Sequence, residues 1–346
     1  MNNFKKIGVS ALAGSLAMVS ANAVEYTVSG DFLATFSTAD SLNNPTESGK
    51  GFGADTDLYF STSGELDNGY TVGYVMSVNT NGALTNSSSQ MVVGMGSFGS
   101  LHLNHVGGSK VNAIDDVMPH AYEETWHGIT AASSNPSFFG GTLNSGSIDY
   151  RIPAQEYSGI TLNASVTYDP NAQSVGANDA KGVGATTVSG RGAVIQLASD
   201  FGLEIGAGIT IEEDNGTNVA GSGGLTEEEA VTAYIKYAYG PISVGYQEAY
   251  KNAGHGSGTL GRDTSAEFMG VAYTAGDFTV SYGESSLITE GNISNIVDPE
   301  IELNSIQAAY TMGAMTVAAA MSETTNASGI SAKTYNENTL AVAFAF

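Results

Sequence analysis

The 346-residue chain carries 35 acidic against 11 basic residues, a formal charge of -24. That balance repels polyanions and excludes a nucleic-acid partner. The absence of cysteine excludes disulfides and thiolate chemistry. Mean hydropathy is -0.03, the average of surfaces half apolar and half wet.

The first segment reads as an export signal. Lys5 and Lys6 precede an apolar run from Ile7 to Val19, and Ala21-Asn22-Ala23 supplies the small-x-small pattern of a cleavage site after Ala23. The run is shorter than the about 20 residues a spanning helix needs. We therefore read residues 1–23 as a cleaved signal peptide and 24–346 as one domain. No later stretch is apolar enough for a spanning helix, so a membrane location demands a closed barrel, which alone satisfies every backbone N–H and C=O in hydrocarbon.

Strand periodicity starts at once. Tyr26, Val28, Gly30, Phe32, Ala34 and Phe36 share one face, and Thr27, Ser29, Asp31 and Thr35 the other. Thr56 to Leu66 runs into the hairpin signal Asp67-Asn68-Gly69, and Tyr70 to Val78 returns. Further tight turns are expected at Phe98-Gly99, Tyr157-Gly159, Asp200-Gly202, Gly240-Pro241, Gly276-Asp277 and Gly313-Ala314. Longer polar connections fall near 38–52, 79–88, 107–146, 169–190, 212–228, 251–263, 286–299 and 325–334. Short turns alternating with long loops give about 16 antiparallel strands, the layout of an outer-membrane barrel. A barrel of this size encloses water, whereas an eight-stranded one is filled by its side chains.

The final stretch places Leu340, Val342, Phe344 and Phe346 on one face with Ala341, Ala343 and Ala345 between. With the opening Val24-Glu25-Tyr26-Thr27-Val28-Ser29-Gly30-Asp31, it resembles the Gram-negative general-diffusion porins of alphaproteobacteria. The resemblance implies an all-β, 16-stranded transmembrane β-barrel in the bacterial outer membrane, with the third extracellular loop folded inward. It also implies a homotrimer embedded in lipid and lipopolysaccharide, an assembly signal at Phe346 for the barrel assembly machinery, and loop carboxylates able to hold calcium. No other cofactor is expected.

The longest connection follows the fifth strand, Ser100 to Val106, and is therefore the third long loop. It holds Asp115, Asp116, His120, Glu123, Glu124, Trp126 and His127, a density of ionisable groups found nowhere else. We read it as an acidic constriction that sets ion preference. By face assignment Arg151 and Lys236 point inward, against Asp31, Asp55, Asp57 and Asp149. Arg191, Lys181, Lys50, Lys251, Arg262 and Lys333 sit in or beside loops. His102 and His105 are three apart on a strand, so they face opposite ways and cannot chelate together; no metal site follows. Neither G-x-S-x-G nor H-E-x-x-H occurs, and the chain does not read as an enzyme. The expected function is passive diffusion of ions and small hydrophilic solutes, cations preferred. A substrate-specific channel with a solute-binding track is the alternative.

Overall fold

The computed structural model describes residues 25–41, 48–79, 83–126, 136–170, 189–213, 227–252, 263–290 and 300–346. The proposed cleavage site after Ala23, together with His127, Lys181 and Arg262, lies outside the described residues.

Among the described residues, seventeen strand segments run in chain order. They are β1 (Glu25–Ser41), β2 (Gly49–Glu65), β3 (Thr71–Asn79), β4 (Thr85–Gly94), β5 (Ser100–Val106) and β6 (Ser147–Arg151). Next come β7 (Gln155–Tyr157), β8 (Ile160–Asp169), β9 (Gly190–Ser199), β10 (Leu203–Glu212), β11 (Glu228–Tyr239) and β12 (Ile242–Asn252). The last are β13 (Thr264–Ala275), β14 (Phe278–Thr289), β15 (Ile301–Met312), β16 (Met315–Thr325) and β17 (Thr334–Ala345). Each pairs antiparallel with its neighbours, and β1 pairs with β17, so the sheet closes on itself. Both β6 and β7 pair with β8 and form one stave interrupted at Ile152-Pro153-Ala154. Proline cannot donate to a ladder, which explains the break. The wall is thus a closed 16-strand antiparallel barrel.

The expected short turns are all present, each with a glycine at positive φ. Gly202, at φ 94°, is the strictest: a Cβ there would run into the Ala238 carbonyl. One expectation needs correction. The connection read at 38–52 is shorter, because β1 and β2 are 17 residues each and stay paired as far as Ala39↔Gly49. Ser37, Thr38, Gly51 and Gly53 carry no apolar alternation, so backbone pairing there leaves no mark in the hydrophobic pattern.

Side chains alternate as a barrel requires. Tyr26, Val28, Phe32 and Phe36 stand exposed on the outside of β1, as do Ile205 and Ile209 on β10. The opposite face is small or polar, with Ser165, Thr167, Thr210, Gln247, Ser281 and Gln307 buried. Ring closure is sealed by Gly30 and Phe346, which exchange backbone hydrogen bonds of 2.8 and 2.9 Å. The Phe346 ring lies over Gly30, where a Cβ would come within 2.7 Å of it.

Candidate pore constriction

The segment after β5 turns into the barrel at its first residues. Gly107 and Gly108 adopt φ of 65° and 94°, a conformation other residues seldom take. The fully buried Asp149 carboxylate on β6 fixes the result: it accepts from the Lys110 N–H at 2.8 Å, the Thr167 hydroxyl at 2.7 Å and the Arg151 guanidinium at 2.8 Å. Arg151 also donates to the Gly108 carbonyl at 2.9 Å. Arg151, expected as an inward charge at the constriction, is therefore a pin for the root of the loop.

Beyond the root the loop rests on inward-facing glycines. Gly245, Gly270 and Gly283 stand opposite one another on β12, β13 and β14. A Cβ on Gly245 would come within 2.9 Å of Pro119, and one on Gly270 within 2.8 Å of the Pro119 carbonyl. Gly208 and Gly192 leave the same room for Ile114 and Val111. The loop buries Val111, Ile114, Met118, Phe139 and Leu143 against inward Ala249, Ala266 and Phe268, so the main apolar core lies inside the barrel.

Two buried glutamines fasten this segment to the wall. Gln247 accepts from the Val117 N–H at 3.0 Å and donates to the carbonyls of Ile114 (2.8 Å) and Asp115 (3.1 Å). Gln307 accepts from the N–H groups of Tyr122 and Glu123 and donates to the Glu123 carbonyl at 2.7 Å. The Ser281 hydroxyl accepts from Ala121 at 2.8 Å. Ala121 and Tyr122 pack on a cluster that includes Leu33 of β1, so the loop reaches across to the first strands.

The expected acidic residues divide into two kinds. Asp115 and Asp116 shape the turn: Asp116 accepts from the Met118 N–H at 2.9 Å, and Asp115 from the Asp116 N–H and the Ser137 hydroxyl. Asp116 is 4% exposed. Burial, reinforced by Glu124 and Asp115 and opposed by the Met118 N–H, pushes its carboxyl up to about 7; burial also raises Asp115. Glu123 and Glu124 are half-buried. The His120 Nδ1–H donates to the Met118 carbonyl, 3.0 Å away, since a carbonyl only accepts. Trp126 packs against the interior core.

The raised Asp116 carboxyl has a consequence for pH. A folded-state value above the unfolded one stabilises the seat of the loop most below the unfolded value, and the gain is lost as pH rises through about 7. Protease cutting within 107–146 should therefore increase between pH 5 and 8. Asp116→Asn, which keeps the acceptor for Met118, should flatten that rise; an unchanged profile would remove Asp116 as its source.

Lys236 is ion-paired to Glu204 at 3.2 Å, beside the Tyr234 ring. A third inward cation is Lys110, which the sequence reading passes over. It stands among Arg151, Asp149, Glu204 and Lys236, and burial followed by Arg151 lowers its pKa. The paired Gly107-Gly108, one residue removed from it across Ser109, is the signal that would have turned it inward. Across the ring, Asp31 and Asp57 face each other on β1 and β2, with Asp55 beside them. Their polar partners are neutral: the Tyr59 hydroxyl donates to Asp31 at 2.7 Å and the Asn79 amide to Asp55 at 2.6 Å. Among the described residues no ion pair reaches these three aspartates. His102 and His105 do face opposite ways, His102 toward Gln90 and Ser100, His105 toward Ser89. No group of three or more His, Asp or Glu able to hold a metal occurs among the described residues.

The profile of the Gram-negative porin family matches residues 8–346. The chain is a Gram-negative porin. Solved structures agree on the fold. A loop L8 deletion mutant of OmpT, an outer membrane protein of Vibrio cholerae, superposes with a TM-score of 0.67 at 12% identity, over 94% of this chain and 100% of that one. The anion-selective porin from Comamonas acidovorans gives 0.65 at 12%, again over 94% and 100%. A mutant of the Rh. blastica porin gives 0.56 at 14%, over 93% and 100%. A search among curated proteins finds no match. This porin is thus an outer-membrane channel rather than an enzyme, located in the bacterial outer membrane.

Proposed function

We propose that this porin passes ions and small hydrophilic solutes by passive diffusion and prefers cations, without any cofactor. The observation that carries the preference is the group Asp31, Asp55 and Asp57 on the lumen wall, which meets no cation among the described residues. Arg151 and Lys236, by contrast, are tied to Asp149 and Glu204. At an effective dielectric near 20, one charge about 4 Å from a passing ion is worth roughly 4 kcal/mol before solvation losses. Three aspartates with no cation partner among the described residues leave the bore negative, the inward Lys251 being tied to Glu228 as well. Glu123 and Glu124 on the inward loop add to it, while Asp115 and Asp116 act mainly through the loop's shape. The anion-selective Comamonas porin shares the fold, so selectivity rests on side chains of this kind and not on the barrel.

The assembled form we propose is a homotrimer, supported by a trimer form of the Vibrio cholerae OmpT among the similar structures. Removal of the segment ending at Ala23 belongs to the same proposal.

The test is the zero-current potential across a planar bilayer in a steep KCl gradient. The wild-type channel should develop a cation-selective potential. Asp31→Asn, Asp55→Asn and Asp57→Asn together should lower the cation-to-anion permeability ratio several-fold, and adding Glu123→Gln and Glu124→Gln should bring it near unity. An unchanged potential in the triple variant at low salt, where screening is weakest, would refute the assignment.

A further inference from the structure

The outward apolar band is not equally tall around the barrel. On β10 it runs unbroken from Leu203 to Ile211, and on β11 from Tyr239 to Val231. Counting outward positions upward from the short turns, five in a row are apolar on each of these strands. On β12 the band stops at Tyr246 and on β14 at Tyr282, the third position in both cases. The next outward residues are Glu248 and Glu284. On β13 the band reaches Met269, the fourth position, and Glu267 above it stands directly opposite Glu248, so the carboxylates continue across the flank. The described residues of β11 to β16 place no lysine or arginine on the outside.

A second feature marks the same level. The Tyr246 hydroxyl donates to Glu248 at 2.5 Å, and that of Tyr282 donates to Glu284. Both rings thus point their polar tips toward the loops with their apolar bodies below, the posture of aromatic side chains at a membrane–water interface. Two outward positions correspond to four residues, or roughly 13 Å along a strand and about 10 Å of height at the usual tilt. A barrel offers no way to retract an outward carboxylate, whereas a bilayer thins locally to meet a short apolar surface.

We propose that the outer-leaflet hydrocarbon steps down along the β12–β14 flank, so that lipid headgroups reach the level of Glu248, Glu267 and Glu284. The occupant of this face is therefore the polar layer of the lipid itself, lower here than beside β10 and β11.

The chain has no cysteine, which permits single labelled positions. Nitroxide spin labels at Glu284→Cys and Ala233→Cys, both fourth above their short turns, would be compared in phosphatidylcholine–phosphatidylglycerol vesicles. Ser286→Cys and Val231→Cys, both fifth, form a second pair that leaves every glutamate in place. A water-soluble nickel chelate should relax the labels at 284 and 286 more strongly than oxygen does, and the order should invert at 233 and 231. The same order within each pair would overturn the proposal. So would labels at 284 and 286 shielded from both reagents, since that would mean a protein covers the flank. Heat-modifiable migration on gels verifies that each variant is a folded barrel.

Discussion

Replacing Gln247 and Gln307 together by leucine will release the third loop from the wall while leaving the barrel closed. The two amides serve the Val117, Tyr122 and Glu123 N–H groups and the Ile114, Asp115 and Glu123 carbonyls. Leucine fills a similar volume but offers no donor or acceptor, so these groups must find water or stay unsatisfied at about 1–3 kcal/mol each. The summed cost exceeds what the apolar contacts of a short turn can hold. Single channels should then show raised and fluctuating conductance, and protease should cut between 107 and 146. A quiet channel of unaltered conductance, with the loop still protected, would show that Val111, Ile114 and Phe139 hold the loop without the amides.

Exchanging Phe346 for serine should reduce membrane-inserted, heat-resistant barrel several-fold, far more than a change at an exposed position such as Asn86. The backbone pair with Gly30 survives this change, so the loss is the ring, which covers the bare Gly30 backbone and stacks on Phe344 at 6.4 Å. The ring is only partly covered, so its removal costs less than the burial of a whole phenyl group, but the loss falls where closure must be completed. Leucine at 346 should recover part of the yield. Equal yields of the serine variant and wild type, by heat-modifiable migration, would detach assembly from this residue.

Much of this architecture is readable before any coordinates. Hairpin signals such as Asp67-Asn68-Gly69 and Gly240-Pro241 are local, and a period of two survives wherever one face meets lipid. The barrel and its strand number follow from those alone. The third loop is legible as a long connection rich in carboxylates, but its internal roles are not. Asp115 and Asp116 read the same as Glu123 and Glu124 in sequence; only the burial created by Ser137, Met118 and the far wall separates turn-formers from lumen charges. Gln247 and Gln307 look like ordinary polar positions of inward strand faces, because their partners lie more than a hundred residues away. Inward glycines at 245, 270 and 283 carry a faint signal. Glycine weakens a strand unless something approaches its backbone, and three in register across adjacent strands point to an approach from inside.

The seam between β1 and β17 imposes an order of events. Every other pairing joins consecutive staves of the wall, the longest chain closed being the third loop between β5 and β6. Across the seam, Ser37 and Thr339 hold their hydroxyls 2.9 Å apart while lying 302 positions apart in sequence. Until that seam closes, β1, paired with β2 on one side, and β17, paired with β16, each keep one edge free, so an unclosed wall is a curled sheet with two adhesive rims. Such rims accept any free strand, including one from a second copy of the chain. Crowding of unfinished chains, more than weakness of the finished ring, is where this protein is most exposed to misassembly.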